Sequence, residues 1–307
     1  MKEKHHQYAA IDTKSDLQGL RIARFFLWFS CLCSLCLVPF FMAPFTINSW
    51  VQGKEPLMIC ALQLSGFMLA LSAIFLLLFA TMTHSFPLQA LIAALFVDAV
   101  SSVLWIGFVV DGIIEGIIAM DLLSSGSIVV FFVRVLGNVS SILYLMKNHL
   151  SFETDQFSPH TYLPIVVFSK IVLWIFSIDC LFIAPIFMFS SSLQLWFQEE
   201  ELTAATLFAF QLVGLMFANF GGFLMTFAAM LRNSPPRAVK VAFLLDALLC
   251  GVWLVSDFYW LNKDMMNSDT IVFSIDVFLI VRIVLDLIAM VKYSSGRKVQ
   301  RSGIISR

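Results

Sequence analysis

Four ionisable residues lie deep inside long apolar stretches of this chain: Asp98, Arg134, Asp246 and Arg282. Two further basic residues, Arg24 and Lys170, enter such stretches less deeply. A charge removed from water has to be paired, hydrogen-bonded or put to use, so these six residues define a column of basic, acidic and basic groups. Two kinds of chemistry are open to it. The carboxylates can clip helices together as salt bridges, taking either Arg134 and Arg282 or Arg24 and Lys170 as partners. Alternatively they can pass protons or ions along a relay, which ordinarily needs several carboxylates or a histidine. No histidine lies in an apolar stretch, and the additional carboxylates are few: Asp179, Asp286 and, nearer a helix end, Asp276. Asp286 follows Arg282 by four residues and so shares its helix face.

Catalysis finds little to work with. There is no Gly-rich phosphate loop, and the short loops bring no Ser, His and Asp set together, so the chain is expected not to be an enzyme and to use no cofactor. Cys31, Cys33 and Cys36 form a cluster with no histidine nearby, which reads as small core residues and not as a metal site.

The elements that carry these residues follow from composition. The 307 residues are 60% apolar and 13% charged, with 32 Phe, far from the quarter or so of charged residues usual in soluble proteins. A bilayer core of ~30 Å takes about 20 apolar residues per helix. Eight runs meet that length, roughly 25–46, 58–81, 89–110, 127–147, 164–189, 204–230, 239–261 and 271–293. The polar first 20 residues, followed at once by a full apolar run, read as a tail and signal anchor rather than a cleaved signal peptide. All six cysteines fall within apolar runs, which leaves no disulfide framework for the loops.

The eight runs are two sets of four. At an offset of 148 residues, Gly66, Pro87, Asp98, Trp105 and Arg134 land on Gly214, Pro235, Asp246, Trp253 and Arg282. Near the start the offset is 146, pairing Arg24 with Lys170, Trp28 with Trp174 and Pro39 with Pro185. Such self-similarity marks an internal repeat. The expected fold is therefore an all-α membrane protein of eight transmembrane helices arranged as two parallel four-helix repeats. Its parts are an N-terminal tail over 1–24, a first repeat over 25–147, a linker over 148–163, a second repeat over 164–293 and a basic C-terminal tail over 294–307. Asp179 and Asp286 have no acidic counterpart in the first repeat, where Cys33 and Asn138 stand in their places.

Basic residues set the orientation. Fourteen of them, from Lys2 to Arg307, fall on the side of the tails, while Lys54 and Lys263 fall opposite, so both termini are expected in the cytosol. Acids gather on the far side, with Asp111, Glu115 and Asp121 in one loop, Glu199 to Glu201 in another, and Asp264 and Asp269 in a third, approached by Asp257. Four spans per repeat and a short polar linker make the repeats parallel, whereas many secondary transporters build their site between inverted ones.

Smaller signals concern packing and partners. Gly214, Ala218 and Gly222 form a stripe of small residues at spacing four, suited to close helix packing within the chain or, as a second reading, to homo-oligomerisation. Pro39 and Pro185 each fall within the first helix of a repeat, where a kink is expected. Tyr8-Ala9-Ala10-Ile11 has the form of a tyrosine-based sorting signal, with Tyr8 and Ile11 as its fixed positions. Lys292, Arg297, Lys298, Arg301 and Arg307 suit an anionic leaflet, and Val139, Tyr144 and Lys147 fit the loose sterol-contact pattern. The bilayer, with anionic lipid or sterol, and a second copy or a partner membrane protein are the expected partners; nucleic acid is not.

The pattern Asp-Ala, with Trp seven positions after the Asp, occurs at Asp98-Ala99 with Trp105 and at Asp246-Ala247 with Trp253. It resembles the third helix of MARVEL-type four-span proteins. The first-helix basic residues Arg24 and Lys170 resemble the one that MARVEL and the plant Casparian-strip membrane proteins share. That resemblance implies four spans per repeat with both ends cytosolic and a role without catalysis in membrane organisation or vesicle trafficking; the expected location is the plasma membrane or an endomembrane or vesicle. The leading expectation is thus a non-catalytic organiser of membrane domains or of a partner complex. Its rival is a small solute, proton or cation transporter or channel that uses the intramembrane aspartates, with the acidic loops concentrating cations at its mouth.

Overall fold

The computed structural model describes residues 13–43, 55–120, 122–148, 164–189, 202–231, 234–262 and 270–305. Among them lie eight long helices: α1 Thr13–Met42, α2 Pro56–Thr81, α3 Leu88–Ile114, α4 Leu122–Asn148, α5 Pro164–Met188, α6 Ala204–Met230, α7 Pro236–Asn262 and α8 Thr270–Ile305, with a 3-10 turn, Thr83–Ser85, between α2 and α3. Their limits are written locally. Pro56, Pro164 and Pro236 open α2, α5 and α7, at the one helical position where a missing N–H costs nothing. Gly116 adopts φ +73° after α3, while the N–H groups of Ile117 and Ile118 turn back onto the Gly112 carbonyl and end the helix. Pro39 and Pro185 are taken into α1 and α5 close to their ends.

Seven of the eight helices are long and apolar enough to cross a bilayer, with mean hydropathy of 1.7–2.3 over their apolar stretches. The chain is an integral, multi-pass, all-α membrane protein. The eighth helix is as long, but its apolar stretch carries three charged residues, Asp276, Arg282 and Asp286. It also continues to Ile305, past the limit expected near residue 293. Most of the expected basic tail is therefore helical, in keeping with the helix propensity of Lys, Arg and Gln. The sorting motif at Tyr8 and Ile11 lies outside the described residues.

The helices pack as a closed ring in the order α1, α2, α7, α8, α5, α6, α3, α4 and back to α1, and α2 and α6 also meet across its middle. Burial identifies these two as the hub. The apolar stretches of α2 and α6 are 67% and 78% buried, against 28–56% for the other five. The outer helices turn Phe25, Phe96, Phe132, Phe182, Val255 and Phe273 outward, an exposed apolar belt that a soluble protein would not present and that lipid covers.

The seam between α2 and α6 is aromatic. Phe75 stacks on Phe223 at 5.4 Å and Phe79 meets Phe227 at 5.3 Å, while the diagonals Phe75–Phe227 and Phe79–Phe223 close at 5.5 and 6.4 Å. Phe86 and Phe220 complete the cluster. At the end of the bundle where α2 and α6 begin, the Thr203 hydroxyl donates to the Glu55 carboxylate at 2.8 Å. The same carboxylate accepts from Thr206, where a negative charge favours the N-terminus of α6.

Glycine sets the closest approaches. A Cβ on Gly214 would come within 2.6 Å of the Ala184 carbonyl oxygen, and one on Gly66 within 2.6 Å of Phe41 Cβ. Gly222, however, faces Val97 of α3, and it is Gly221 that joins Gly214 against α5. The stripe of Gly214, Ala218 and Gly222 therefore serves two intramolecular contacts instead of one. On a helix of 3.6 residues per turn a spacing of four drifts by ~40° at each step, whereas a spacing of seven returns to within ~20°.

Candidate functional site

Two buried polar clusters occupy the bundle, one in each half of the chain. In the first, α3 contributes Asp98 and α4 contributes Arg134 and Asn138, all 3% exposed or less. Arg134 forms a salt bridge with Asp98 Oδ1 and donates to Ser34 Oγ of α1 at 3.2 Å. Asn138 donates from Nδ2 to Asp98 Oδ2 at 2.7 Å. Both oxygens of Asp98 are thus engaged, and one carboxylate faces one guanidinium. The Phe131 ring lies under that guanidinium at 4.6 Å and stacks on Trp105 at 5.0 Å.

The second cluster repeats this frame with additions. Arg282 of α8 grips Asp246 of α7 through two bonds, Nε to Oδ2 at 2.9 Å and Nη2 to Oδ1 at 2.5 Å, a bidentate fork. Its Nη1 donates to Asp179 of α5 at 2.5 Å, and Nη2 also reaches Cys180 Sγ at 3.1 Å and the Phe176 carbonyl at 3.4 Å. The Phe176 ring, from α5 and not α8, also lies against the guanidinium, at 4.6 Å. Two helices, α5 and α7, therefore converge on one arginine of a third.

Asp286 stands where the first half has Asn138. It is fully buried, neither of its oxygens receives a hydrogen bond, and its carboxyl faces that of Asp246. The amide of Asn138 has a proton to give to Asp98. An ionised carboxylate has none, so Asp286 can reproduce that bond only while it carries its own proton.

A further acidic pair lies toward the far end of α7. Asp257 is 1% exposed and meets Asp276 of α8 and the Trp253 indole, and one oxygen of each aspartate is buried without a partner. The corresponding residues 148 positions earlier are Val109 and Ile128. The sequence placed Asp257 with the acids of the far-side loops, because it lies within two turns of the end of its apolar run. Its burial comes from α8 packing over it, which no local pattern announces.

Of the expected column, the structure brings together Asp98 with Arg134 and Asp246 with Arg282, and it adds Asp179, one of the separate carboxylates, to the second pair. Arg24 and Lys170 are exposed on the outside of α1 and α5 and do not enter either cluster. Rise per residue gives a side chain's depth in a bundle but not which way round its helix it points, and both basic sets lie at suitable depths. Among the described residues no group of His, Cys, Asp or Glu has the arrangement to hold a metal ion. The six cysteines are free thiols.

Beside the second cluster is a cavity of about 490 Å³. Asp179 and Arg282 form its polar side, and its walls include Phe217, Trp253, Phe278 and Leu279, drawn from α5, α6, α7 and α8. Asp179 keeps 24% of its side chain exposed there, while Arg282 keeps 2%. The enclosing residues account for the space. Leu279 occupies the position of Phe131, whose ring in the first half stacks on Trp105 beneath Arg134, so the smaller side chain leaves room next to Trp253.

No protein-family model matches the chain, and no curated protein or solved structure matches it either.

Proposed function

We propose that this protein is a non-catalytic membrane organiser, whose helices arrange lipid, a second copy or a partner membrane protein around two parallel four-helix repeats. Both termini face the cytosol in this reading. All eight helices cross the bilayer, with Arg282 of α8 paired to Asp246 and Asp179 and Asp276 and Asp286 each turned to a second carboxyl, that of Asp257 and of Asp246. A membrane-domain or vesicle-trafficking role is the one that the MARVEL resemblance implies.

The observation that carries the proposal is the α2–α6 seam. Phe75 and Phe79 each meet the residue 148 positions on, and the diagonals are reciprocal. That is the contact pattern of a two-fold, self-complementary interface. Carriers place their substrate between their repeats near the midplane; here phenylalanine rings fill that space. The shared Asp–Arg pairs then act as clips between neighbouring helices, and the exposed apolar belt is the working surface.

A second reading, a proton, cation or small-solute carrier, is favoured by one asymmetry. Asp179, Asp257, Asp276 and Asp286 all belong to the second half alone. Flux into liposomes containing the purified protein separates the two. The organiser reading expects no proton or cation flux above that of empty liposomes, together with slowed lateral diffusion of the protein or of labelled lipid around it. A flux abolished by Asp246→Asn in folded protein would sink it.

A further inference from the structure

We infer that the second-half cavity is a binding site for a hydrophobic, single-chain primary amine that dissolves in the bilayer and docks its ammonium on Asp179. The charge balance makes the first part of the argument. In the first half one carboxylate meets one guanidinium and an amide completes the set. In the second half Asp179, Asp246 and Asp286 surround the single guanidinium of Arg282. Asp246 takes two of the arginine's donors and Asp179 takes one. Even with a proton held between Asp246 and Asp286, one negative charge is left over, and Asp179 is the carboxylate with surface to offer it.

Shape supplies the second part. The volume of about 490 Å³ lies within the ~300–1,000 Å³ typical of small-molecule sites, which are mostly apolar with a few fixed polar groups. Trp253, Phe217 and Phe278 surround it, and aromatic faces attract an ammonium as well as an alkyl chain. Access is lateral. Ile178 and Phe182 on either side of Asp179, and Phe278 opposite on α8, are exposed on the apolar belt, so a ligand can enter from lipid between α5 and α8.

Depth decides against a phospholipid headgroup. With α8 crossing the bilayer, as in the reading proposed above, Arg282 lies twelve residues from the start of the helix, about 18 Å along it at 1.5 Å per residue, and so below the level of the phosphate groups. An amine with no anionic group can go there, neutralised by Asp179. The inference does not depend on the organiser role, since a ligand site and a lateral scaffold can share one bundle.

The protein supplies its own control substitutions. Asp179→Cys copies Cys33 and removes the charge, while Leu279→Phe copies Phe131 and fills the space. The probe is tritiated dodecylamine, with full-length protein in phosphatidylcholine nanodiscs. Saturable binding of one molecule per chain is expected, and each variant should weaken it by ~10-fold or more, Asp179→Cys through a lost charged hydrogen bond and Leu279→Phe by taking the space of the alkyl chain. Dodecanol, the uncharged analogue, should not compete. Competition by dodecanol as effective as that by unlabelled dodecylamine would overturn the inference by showing an apolar tail pocket only. Wild-type affinity in both folded variants would overturn it equally. If a variant does not fold, the dodecanol competition on the unaltered protein decides.

Discussion

Arg134 has one carboxylate partner, Asp98, whereas Arg282 has two, Asp246 and Asp179, and equivalent substitutions should therefore have unequal effects. Removing one member of a buried ion pair costs ~3–5 kcal/mol because the other is left charged and unpaired. Asp98→Asn should lose that much in denaturant or thermal unfolding in detergent. Asp246→Asn should lose visibly less, since Asp179 still holds the guanidinium. Equal losses would show that Asp179 contributes nothing to Arg282. Asp286→Asn should go the other way and raise stability by ~1 kcal/mol, because the amide can donate to Asp246 as Asn138 donates to Asp98 without first having to carry an extra proton. A lower melting temperature for that variant would refute the equivalence of the two positions. Much of this is legible in the sequence. The acids and bases announce themselves by their cost in apolar surroundings, and Asp179 and Asp286 have no acidic counterpart in the first half of the chain. Which basic residue each acid would choose was not legible, since that depends on how each helix is rotated about its axis.

Single helices are placed by their hydropathy to within a turn or two, except where polar residues extend them, as at the start of α1 and the end of α8. Their faces were harder to read. Gly214 and Gly222 look alike in sequence, yet the first meets α5 and the second α3, because a spacing of four precesses around the helix. Gly214→Ala would set a methyl against the Ala184 carbonyl at 2.6 Å. Backbone cannot retreat as a flexible side chain can, so α5 and α6 must part, at a cost of ~1–3 kcal/mol. Gly251→Ala is the matched control on α7. Nothing lies within 4 Å of its added Cβ, and helix propensity alone predicts a gain of up to ~1 kcal/mol. Opposite signs for the two glycines in thermal unfolding are the expected result; a loss at both would mean that intrinsic flexibility, and not the α5–α6 approach, governs them. The cavity belongs to the same scale. It was invisible in sequence because a Leu in place of a Phe in an apolar run changes no pattern, and only the stacking of Phe131 on Trp105 shows what Leu279 leaves open.

For the whole molecule, the ring of helices joins two halves through surfaces that are nearly the same surface. Glu55 bonds Thr203, Phe75 stacks on Phe223 and Phe79 meets Phe227, each a residue touching its counterpart, with α3 packing on α6 as α7 packs on α2. An interface of that kind needs no covalent linker to specify it, and residues 149–163 of the linker fall outside the described residues. Separate chains of residues 1–163 and 164–307, expressed together, should therefore assemble in the membrane and co-purify in equal amounts. Substituting the seam tests the cause. Phe79→Ala and Phe227→Ala occupy related places in one aromatic cluster, so each should weaken assembly of the split protein by a similar amount, on the order of 3 kcal/mol for a buried Phe. Substitution of the lipid-facing Phe96 or Phe182, exposed by 60% and 74%, should leave it intact. Failure of the split halves to associate, with each half still inserted, would show that the two clusters are held together by the connecting chain and not by α2 and α6. Success would place the asymmetry of the protein, its four private aspartates and its cavity, on a frame whose two halves recognise each other unaided.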